Sequence, residues 1–401
     1  MDKLTVRDIE VAGKKILVRA DLNVPLSEEA GVIADDSRIQ ATLPTIKYLI
    51  DRGARVILIS HLGRPSGKVV DELRLTVIAQ RLSQILGQQV GVATNCIGPE
   101  VERSVASLKS GEVLLLENLR FHSDEETGSA SFAQALARLG DLFVNDAFGT
   151  SHRTHASIAG IAHYLPAVAG LLLEREIKTL GSILENPIHP FTALLGGAKV
   201  SDKVGMLENI TGKVDRLLIG GGMAATFLKA NCYEVGQSLI EEDRVGTAAS
   251  LIEKTTKSGV RLLLPVDVII ADRLSAEANI ESVSVKNMPQ DKKAVDIGPQ
   301  TIENFSEELR GSKTVFWNGP VGIHEIPRFA AGTQAMARLL ANLDATTIIG
   351  GGSTAEVVDE MGLADRMTFV STGGGASLRF LSGETLPGLE TLLDKEANSG
   401  G

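Results

Sequence analysis

Glycine clusters follow apolar, strand-like segments at four places in the second half of this 401-residue chain. In each place the glycines come directly before a stretch that could start a helix. Backbone N–H groups at a helix start can bind phosphate, and glycine leaves room for the ligand because it has no Cβ. The pattern predicts sites for phosphorylated ligands, and its copies lie at residues 194–199, 217–222, 348–354 and 370–375.

The first half of the chain has charged and polar side chains, not glycines, at the ends of its strand-like segments. A guanidinium offers a planar fork that matches carboxylate or phosphate. A single such arginine is more often a surface ion-pair partner, and the polar residues of segment 16–25 are equally compatible with an edge strand that faces solvent. Their repetition favours a second kind of anion site. The residues are Asp21, Asn23, His61, Arg64, Arg120, His152 and Arg153.

Two lysines follow the first glycine cluster. Lys199 and Lys203 are four residues apart, so they share one face if a helix starts here. Positive charge in a first turn opposes the helix dipole by roughly 0.3–1 kcal/mol per residue. The pair therefore indicates a bound anion, and the alternative is pairing with Asp202 or Glu208. The P-loop and dinucleotide-binding glycine patterns do not occur in the sequence.

Strand-like and helix-like segments alternate along the chain, which is typical of α/β proteins with parallel sheets. Ser37 or Asp36 could cap the helix of residues 41–52. Residues 273–298 are more irregular and predict antiparallel strands. Strands of the first half are predicted at residues 15–22, 55–60, 90–94, 113–116 and 141–144, with further helices at 75–86 and 129–139.

The length predicts two domains, because single cores stop growing at about 250–300 residues. A helix near residues 170–184 is followed by a proline-marked break at 185–190, where we place the boundary. The predicted fold is α/β, with two doubly wound, Rossmann-like domains whose parallel sheets are joined by a hinge helix. The predicted ranges are 1–170 and 188–380 for the domains, 171–187 for the helix and hinge, and 381–401 for a tail of loop and short helix.

Composition excludes some classes of function. Aromatic residues make up 4% and the net charge is −10, so a nucleic-acid stacking surface is not expected and any anion site must be a local basic cleft. Cys96 and Cys232 lack metal-like or disulfide-like spacing. We find no signal-peptide pattern and no apolar run long enough to span a bilayer, and we therefore predict a cytoplasmic protein with no membrane partner.

With these motifs together, the chain resembles the phosphoglycerate kinase family from end to end. The resemblance implies reversible phosphoryl transfer from 1,3-bisphosphoglycerate to ADP, giving 3-phosphoglycerate and ATP, with Mg²⁺. It also implies a monomer, in-line transfer across a cleft that closes by hinge bending, and a tail that returns to the N-terminal domain. The motifs that carry it are residues 19–25, 60–65, 117–121, 146–157, 196–203, 317–322 and 373–377.

The resemblance also implies roles for individual residues. The positions that correspond to the phosphoglycerate site are Asp21, Asn23, Arg38, His61, Leu62, Gly63, Arg64, Arg120 and Arg153. Those of the nucleotide site are Gly197, Lys199, Lys203, Gly221, Gly222, Ala294, Asn318, Pro320, Glu325, Gly351, Gly352, Ser353 and Thr354. The catalytic positions are Arg38, Lys199, Lys203, Gly351 and Gly374.

Four positions depart from the family pattern. Ser353 stands where the family usually has a metal-holding Asp, and a hydroxyl is a poorer Mg²⁺ ligand than a carboxylate, so the metal is expected to be held mainly by nucleotide phosphates. Ala294 adds a methyl group where the adenine-side segment usually begins with Gly. His324 replaces an aromatic or aliphatic residue and Arg379 replaces a Glu; both are expected to be peripheral.

The expected chemistry needs no general base, because a carboxylate nucleophile is already ionised at pH 7. Arg38 and Lys203 would neutralise charge on the transferring phosphoryl group. Two rival classes are a nicotinamide dehydrogenase and a non-catalytic hinge-type protein that binds a phosphorylated metabolite. The missing dinucleotide pattern counts against the first, and a second anion site would be superfluous in the other.

Overall fold

The computed structural model describes residues 2–27 and 31–395, and these form two compact units. The first unit contains the residues up to Lys178 and, near the C-terminus, those from Thr385 on. The second unit contains Thr179–Glu384. No helix of the described residues is long and apolar enough to cross a membrane. Residues 396–401 of the predicted tail lie outside the described residues.

The first unit is built on a six-stranded parallel sheet whose strand order is β3-β4-β2-β1-β5-β6. Its strands are β1 (Lys15–Ala20), β2 (Arg55–Ile59), β3 (Val90–Val92), β4 (Val113–Leu115), β5 (Leu142–Asp146) and β6 (Ala167–Ala169). Its helices are α1 (Ser37–Asp51), α2 (Thr76–Leu86), α3 (Pro99–Ser107), α4 (Ser123–Glu126), α5 (Ala130–Ala137) and the first half of α6 (Leu171–Glu185).

The central strands are buried on both faces, as parallel sheets with helices on either side require. Successive residues Ile16, Leu17 and Val18 of β1 are all fully buried. Val18 lies opposite Leu58 on one neighbouring strand and Val144 on the other. The five strands predicted for this half are therefore confirmed, with ends that differ by one or two residues.

The predicted cap of α1 is wrong in its detail. The helix begins at Ser37 after Asp36, whose side chain makes no capping hydrogen bond. The backbone N–H of Ser37 instead donates to Oδ1 of Asp35, at 2.8 Å. The carboxylate of Asp35, one residue before the predicted cap Asp36, therefore satisfies the N–H group of the first helical residue.

The second unit contains a six-stranded parallel sheet, in the order β15-β14-β13-β7-β8-β9, and an antiparallel sheet, β11-β10-β12. The strands are β7 (Phe191–Leu195), β8 (Arg216–Ile219), β9 (Arg261–Leu263), β10 (Asp267–Ala271), β11 (Ile280–Ser284), β12 (Lys293–Ile297), β13 (Thr314–Asn318), β14 (Thr346–Gly350) and β15 (Phe369–Val370). The helices are α7 (Val204–Ile210), α8 (Met223–Ala230), α9 (Val245–Lys257), α10 (Pro299–Arg310), α11 (Ala331–Leu340), α12 (Gly352–Glu360) and α13 (Gly375–Leu381).

The predicted α/β class, with a parallel sheet in each unit, is confirmed. The antiparallel strands expected within residues 273–298 are β11 and β12. Helix α6 begins in the first unit and ends in the second. Near the C-terminus, α14 (Pro387–Glu390) belongs to the first unit, where the N–H of Gly388 donates to the carbonyl of Ser151, at 2.9 Å.

Candidate active site

The polar residues of the first half meet at one edge of the first sheet. They follow strands β4, β2, β1 and β5, which are neighbours in the sheet, and the carboxyl ends of parallel strands lie on one edge. The Oδ1 atom of Asn23 accepts the N–H of Gly63 at 2.8 Å. The carbonyl of Gly63 in turn accepts Nη1 of Arg120, also at 2.8 Å. Three strand ends are thereby joined through Gly63.

Arg38 reaches the same edge from the first turn of α1. Its Nη1 lies 2.6 Å from Oδ2 of Asp21, which is buried. The buried Leu62 donates its N–H to Oδ1 of Asn118 at 3.2 Å.

Arg19 is a buried cation of this edge that is not among the predicted site residues. It lies on the central strand β1 and is only 1% exposed, so segment 16–25 is not a solvated edge strand. Its Nη2 is 3.0 Å from Nδ1 of His61, and its Nε donates to Oγ of Ser157 at the same distance. Glu125 supplies a buried carboxylate, 2.6 Å from that hydroxyl. A charged residue within an otherwise apolar strand was the available signal.

The electrostatic field at this edge is positive. Burial, with the charges of Arg19 and Arg120, lowers the pKa of His61 well below its usual value. Burial and the guanidinium of Arg153 lower the pKa of His155 to about 4. Within residues 2–27 and 31–395, no carboxylate forms an ion pair with Arg64 or Arg153. The edge therefore has the charge that a bound anion would balance.

The first two glycine clusters of the second unit, at residues 194–199 and 217–222, act differently from the prediction. The N–H of Gly197 donates to the carbonyl of Pro320 at 2.8 Å, and that of Gly221 to the carbonyl of Val321 at 3.0 Å. These amides are therefore not directed at a ligand. Gly221 has a φ of +64°, and a Cβ there would lie 2.7 Å from the nitrogen of Gly197. Glycine is needed because the turns after β7, β8 and β13 pack in backbone contact.

The two lysines do not share a helix face, because α7 begins only at Val204. Lys199 is exposed, whereas Lys203 is buried, and its burial lowers the pKa of its ammonium group. Its Nζ lies 3.5 Å from the position that a Cβ on Gly197 would take. Among the described residues neither lysine has an ion-pair partner, so the alternative of pairing with Asp202 or Glu208 is wrong.

Asn318, at the end of β13, carries an unsatisfied donor. The residue is 1% exposed, and its Nδ2 atom has no hydrogen-bond partner in the part of the chain that the structure describes. That atom would be 3.0 Å from a Cβ on Gly351, which has a φ of +90° and precedes α12. The hydroxyl of Thr354 holds the adjacent turn by accepting the N–H of Gly319 at 2.7 Å. Buried polar groups without partners are uncommon and here indicate a ligand position.

A cavity of about 410 Å³ lies beside these turns. Apolar side chains such as Val235, Leu239 and Met288 form much of its wall, a lining suited to a flat aromatic ring. His324 is also on the wall, with its side chain 11% exposed and Nδ1 3.2 Å from Oε2 of Glu325, so its expected peripheral position is wrong. Predicted nucleotide residues on the wall are Gly197, Gly221, Gly222, Ala294, Pro320, Glu325 and Ser353.

The remaining predicted positions are elsewhere in the second unit. Lys203 and Asn318 lie against the turns just described, and Gly352 and Thr354 are in the first turn of α12. Gly374 precedes α13 with a φ of +48°. Arg379 is half-exposed near Glu384. No group of three or more His, Cys, Asp or Glu residues that could hold a metal ion occurs among the described residues.

Two parallel sheets in α/β units, with cations at their carboxyl ends that have no ion-pair partner among the described residues, are features of an enzyme that handles phosphorylated ligands. The family model described as phosphoglycerate kinase matches residues 6–384. A phosphoglycerate kinase of Moorella thermoacetica is 54% identical over 98% of this chain and 100% of its own length. One from Pelotomaculum thermopropionicum is 52% identical over the same shares. The chain belongs to the phosphoglycerate kinase family.

Solved structures agree with this assignment. The phosphoglycerate kinase of Coxiella burnetii superposes with a TM-score of 0.86 at 40% identity, covering 97% of this chain and 98% of that one. The enzyme of Pyrococcus horikoshii OT3 gives 0.81 at 31% identity, with the same coverage. The chain is therefore a kinase with a carboxyl group as phosphoryl acceptor, and its nucleotides are ADP and ATP.

Proposed function

We propose that the first unit binds 3-phosphoglycerate or 1,3-bisphosphoglycerate and that the second binds the nucleotide. The observation that supports this most is the set of unpaired cations at strand ends: Arg64 and Arg153 in one unit, Lys199 and Lys203 in the other. Ion pairing among residues 2–27 and 31–395 does not account for these four charges. Two ligands with several negative charges each would balance both sets.

On the phosphoglycerate side, guanidinium forks provide the charge and other groups fix the orientation. Arg64 and Arg153 are accessible and have no ion-pair partner in the described part of the chain, and Arg120 is held by Gly63 and by Glu126. We assign these three to the carboxylate and phosphate ends of the ligand. Asp21 and Asn23 lie at the same edge, paired with Arg38 and with the N–H of Gly63, and would bind the hydroxyl group of the ligand. His61 remains neutral because its pKa is lowered, so it serves as a hydrogen-bond partner and not as a charge.

On the nucleotide side, the apolar cavity would hold the base and Glu325 the ribose hydroxyls. Ala294 lies on the wall and would contact the base. Asn318 would donate its unused Nδ2 hydrogens to the nucleotide beside Gly351. The first-turn N–H groups of α12, at Gly352, Ser353 and Thr354, have no partner within the helix and would face phosphate.

Mg²⁺ fits this arrangement as an ion that arrives with the nucleotide. The described residues offer no carboxylate cluster for an all-protein site, and Mg²⁺ in kinases is commonly shared between substrate phosphates and one or two protein groups. Ser353 lines the cavity, and its hydroxyl would be the protein group beside the ion. When bound, the ion would neutralise charge on the phosphate oxygens.

We propose in-line transfer with Arg38 and Lys203 on opposite sides of the moving phosphoryl group. The acceptor carboxylate is ionised at pH 7, so the protein needs to supply charge and alignment only. Lys199, with the backbone near Gly351 and Gly374, would stabilise phosphate during transfer. Because the two ligands bind to different units, the transfer requires closure by hinge bending, which would also exclude water.

The assignment is tested by measuring binding of each ligand alone by calorimetry. Arg153→Ala should weaken 3-phosphoglycerate binding about 10-fold or more and leave ADP binding unchanged, because loss of a charge-assisted contact costs roughly 1.5–3 kcal/mol. Asn318→Ala should do the reverse. If both variants weakened binding of the same ligand, the assignment of the two ligands to different units would be disproved. We further propose that the protein is a cytoplasmic monomer that binds neither nucleic acid nor membranes. Sedimentation analysis would test the oligomeric state.

A further inference from the structure

Glu241 of the second unit holds the turn that carries the two lysines. Its Oε2 atom accepts the backbone N–H of Val200 at 2.6 Å and that of Ser201 at 3.0 Å. Its Oε1 accepts the hydroxyl of Ser201 at 2.5 Å. Three donors from two successive residues therefore converge on one carboxylate, as they do in anion-binding backbone nests.

The hydrogen bonds continue from this carboxylate to Lys203. The carbonyl of Val200, whose N–H is bound by Glu241, accepts the N–H of Lys203 at 2.9 Å. In the opposite direction, the N–H of Glu241 donates to Oγ1 of the buried Thr226 on α8, at 3.2 Å. The turn between Gly197 and α7 is thereby attached to the helix that follows the second glycine cluster.

Glu241 is also suited to this role by its charge. Partial burial opposes ionisation, but the hydrogen bonds from Ser201 and Val200 outweigh it, and the pKa of the Glu241 carboxyl group is lowered. The nearby ammonium of Lys199 acts in the same direction. The carboxyl group is therefore an anion at neutral pH and accepts the hydrogen bonds of the N–H groups of the turn. These N–H groups do not bind substrate phosphates, which would be bound by the lysines.

We infer that Glu241 is a positioning residue for the phosphoryl-transfer reaction, which fixes the Val200–Ser201 turn so that Lys199 and Lys203 face the nucleotide phosphates. The inference rests on the proposed function of the two lysines. It assigns Glu241 no contact with either substrate. Its loss should therefore slow transfer while the phosphoglycerate site, in the other unit, remains intact.

The test is a double-mutant cycle of Glu241→Gln and Ser201→Ala, with Glu242→Gln as the matched control on an exposed neighbour. Glu241→Gln should lower kcat about 10- to 100-fold, because an ionic acceptor of three hydrogen bonds is lost. KM for 3-phosphoglycerate should change less than about 3-fold. Ser201→Ala should have a smaller effect and add little to Glu241→Gln, since both act through the same turn. Glu242→Gln should retain wild-type kcat.

Wild-type kcat in Glu241→Gln would overturn the inference, as would effects on kcat that multiply in the double variant. The inference would also be overturned if Glu241→Gln changed KM for 3-phosphoglycerate and KM for the nucleotide equally and left kcat unchanged. If Glu241→Gln does not fold, Ser201→Ala must still lower kcat without raising KM for 3-phosphoglycerate. The proposed role of the lysines is tested separately by Lys203→Met, whose retained activity would refute the proposed function irrespective of Glu241.

Discussion

The Nη1 atom of Arg38 lies 2.6 Å from Oδ2 of Asp21, and the two side chains differ in burial. The arginine side chain is 38% exposed and the aspartate 8%. Asp21 therefore holds an accessible guanidinium at the carboxyl edge of the first sheet. Asp21 is the ion-pair partner of Arg38 among the described residues, and it engages Nη1 of the guanidinium. The other N–H groups of a guanidinium can then bind a ligand, as the proposed role in transfer requires.

Arg38→Ala should abolish most activity without unfolding the protein. Removing an arginine that faces a transferring phosphoryl group lowers turnover by roughly 10³-fold or more. Arg81→Ala is the matched control, because Arg81 pairs with Asp36 at 2.7 Å and is 41% exposed. The control should retain wild-type turnover in a coupled assay with ATP and 3-phosphoglycerate. Near-normal turnover in Arg38→Ala, or loss of its folded circular-dichroism spectrum, would contradict the role.

Lys203→Met should separate activity from stability. The ammonium group is buried without a carboxylate partner among the described residues, which costs free energy in the folded state. Replacing it with an apolar side chain should leave the free energy of unfolding unchanged or higher, while turnover falls roughly 10³-fold. Urea unfolding and the coupled assay measure the two effects.

The control for that variant is Lys213→Met. Lys213 donates to the carbonyl of Leu184 at 2.8 Å, outside the proposed site. The Lys213→Met variant should keep wild-type turnover and have a slightly lower free energy of unfolding. A marked loss of stability in Lys203→Met would instead indicate that Lys203 has a structural role.

Gly351→Ala should weaken ADP binding through Asn318. A methyl group at this position would lie 3.0 Å from Nδ2 of Asn318 and crowd the proposed ligand position. Gly362→Ala is the control, because Gly362 also has a positive φ, of +65°, and faces open space. Both variants should lose roughly 1–2 kcal/mol of stability to backbone strain. Only Gly351→Ala should bind ADP at least about 10-fold more weakly by calorimetry, and equal affinities in the two variants would contradict the proposal.

Asp146 should make stability depend on pH. Its carboxyl group is fully buried, and burial raises its pKa from 3.8 to about 7, although Thr45 and the N–H groups of Leu172 and Leu173 oppose the shift. The folded protein therefore binds a proton more tightly than the unfolded chain does. This contribution favours folding below about pH 4 and is lost as the pH rises to about 7.

The loss amounts to as much as about 4 kcal/mol between those two pH values. Asp146→Asn, whose amide oxygen can still accept from α6, should remove that part of the pH dependence. Urea unfolding at pH 4.5 and 8 should therefore show the variant gaining stability relative to the wild type at the higher pH. Burial also raises the pKa of Asp296 to about 7, and in this variant Asp296 should retain its own contribution to the pH dependence of stability. An unchanged difference between variant and wild type at the two pH values would contradict the assignment.

Local pattern was sufficient to predict the two parallel sheets and the edge at which polar residues gather. Alternating apolar segments and helices specify a parallel sheet, and its carboxyl ends must lie together whatever the loops contain. The meeting of Asn23, Gly63 and Arg120 follows from that geometry. The sequence therefore determined which residue types meet at this edge.

Tertiary structure decided how those residues are used. The amides of Gly197 and Gly221 bond to the backbone of the β13 turn, which lies about a hundred residues later in the chain. Lys203 is buried although it precedes helix α7. Arg19 contacts His61, which is 42 residues later in the chain. Glu241 accepts the N–H of Ser201, which is 40 residues earlier. Periodicity and spacing report contacts within a few residues. Burial and hydrogen bonding depend on partners that only the folded chain brings together, which is why these roles could not be predicted from the sequence.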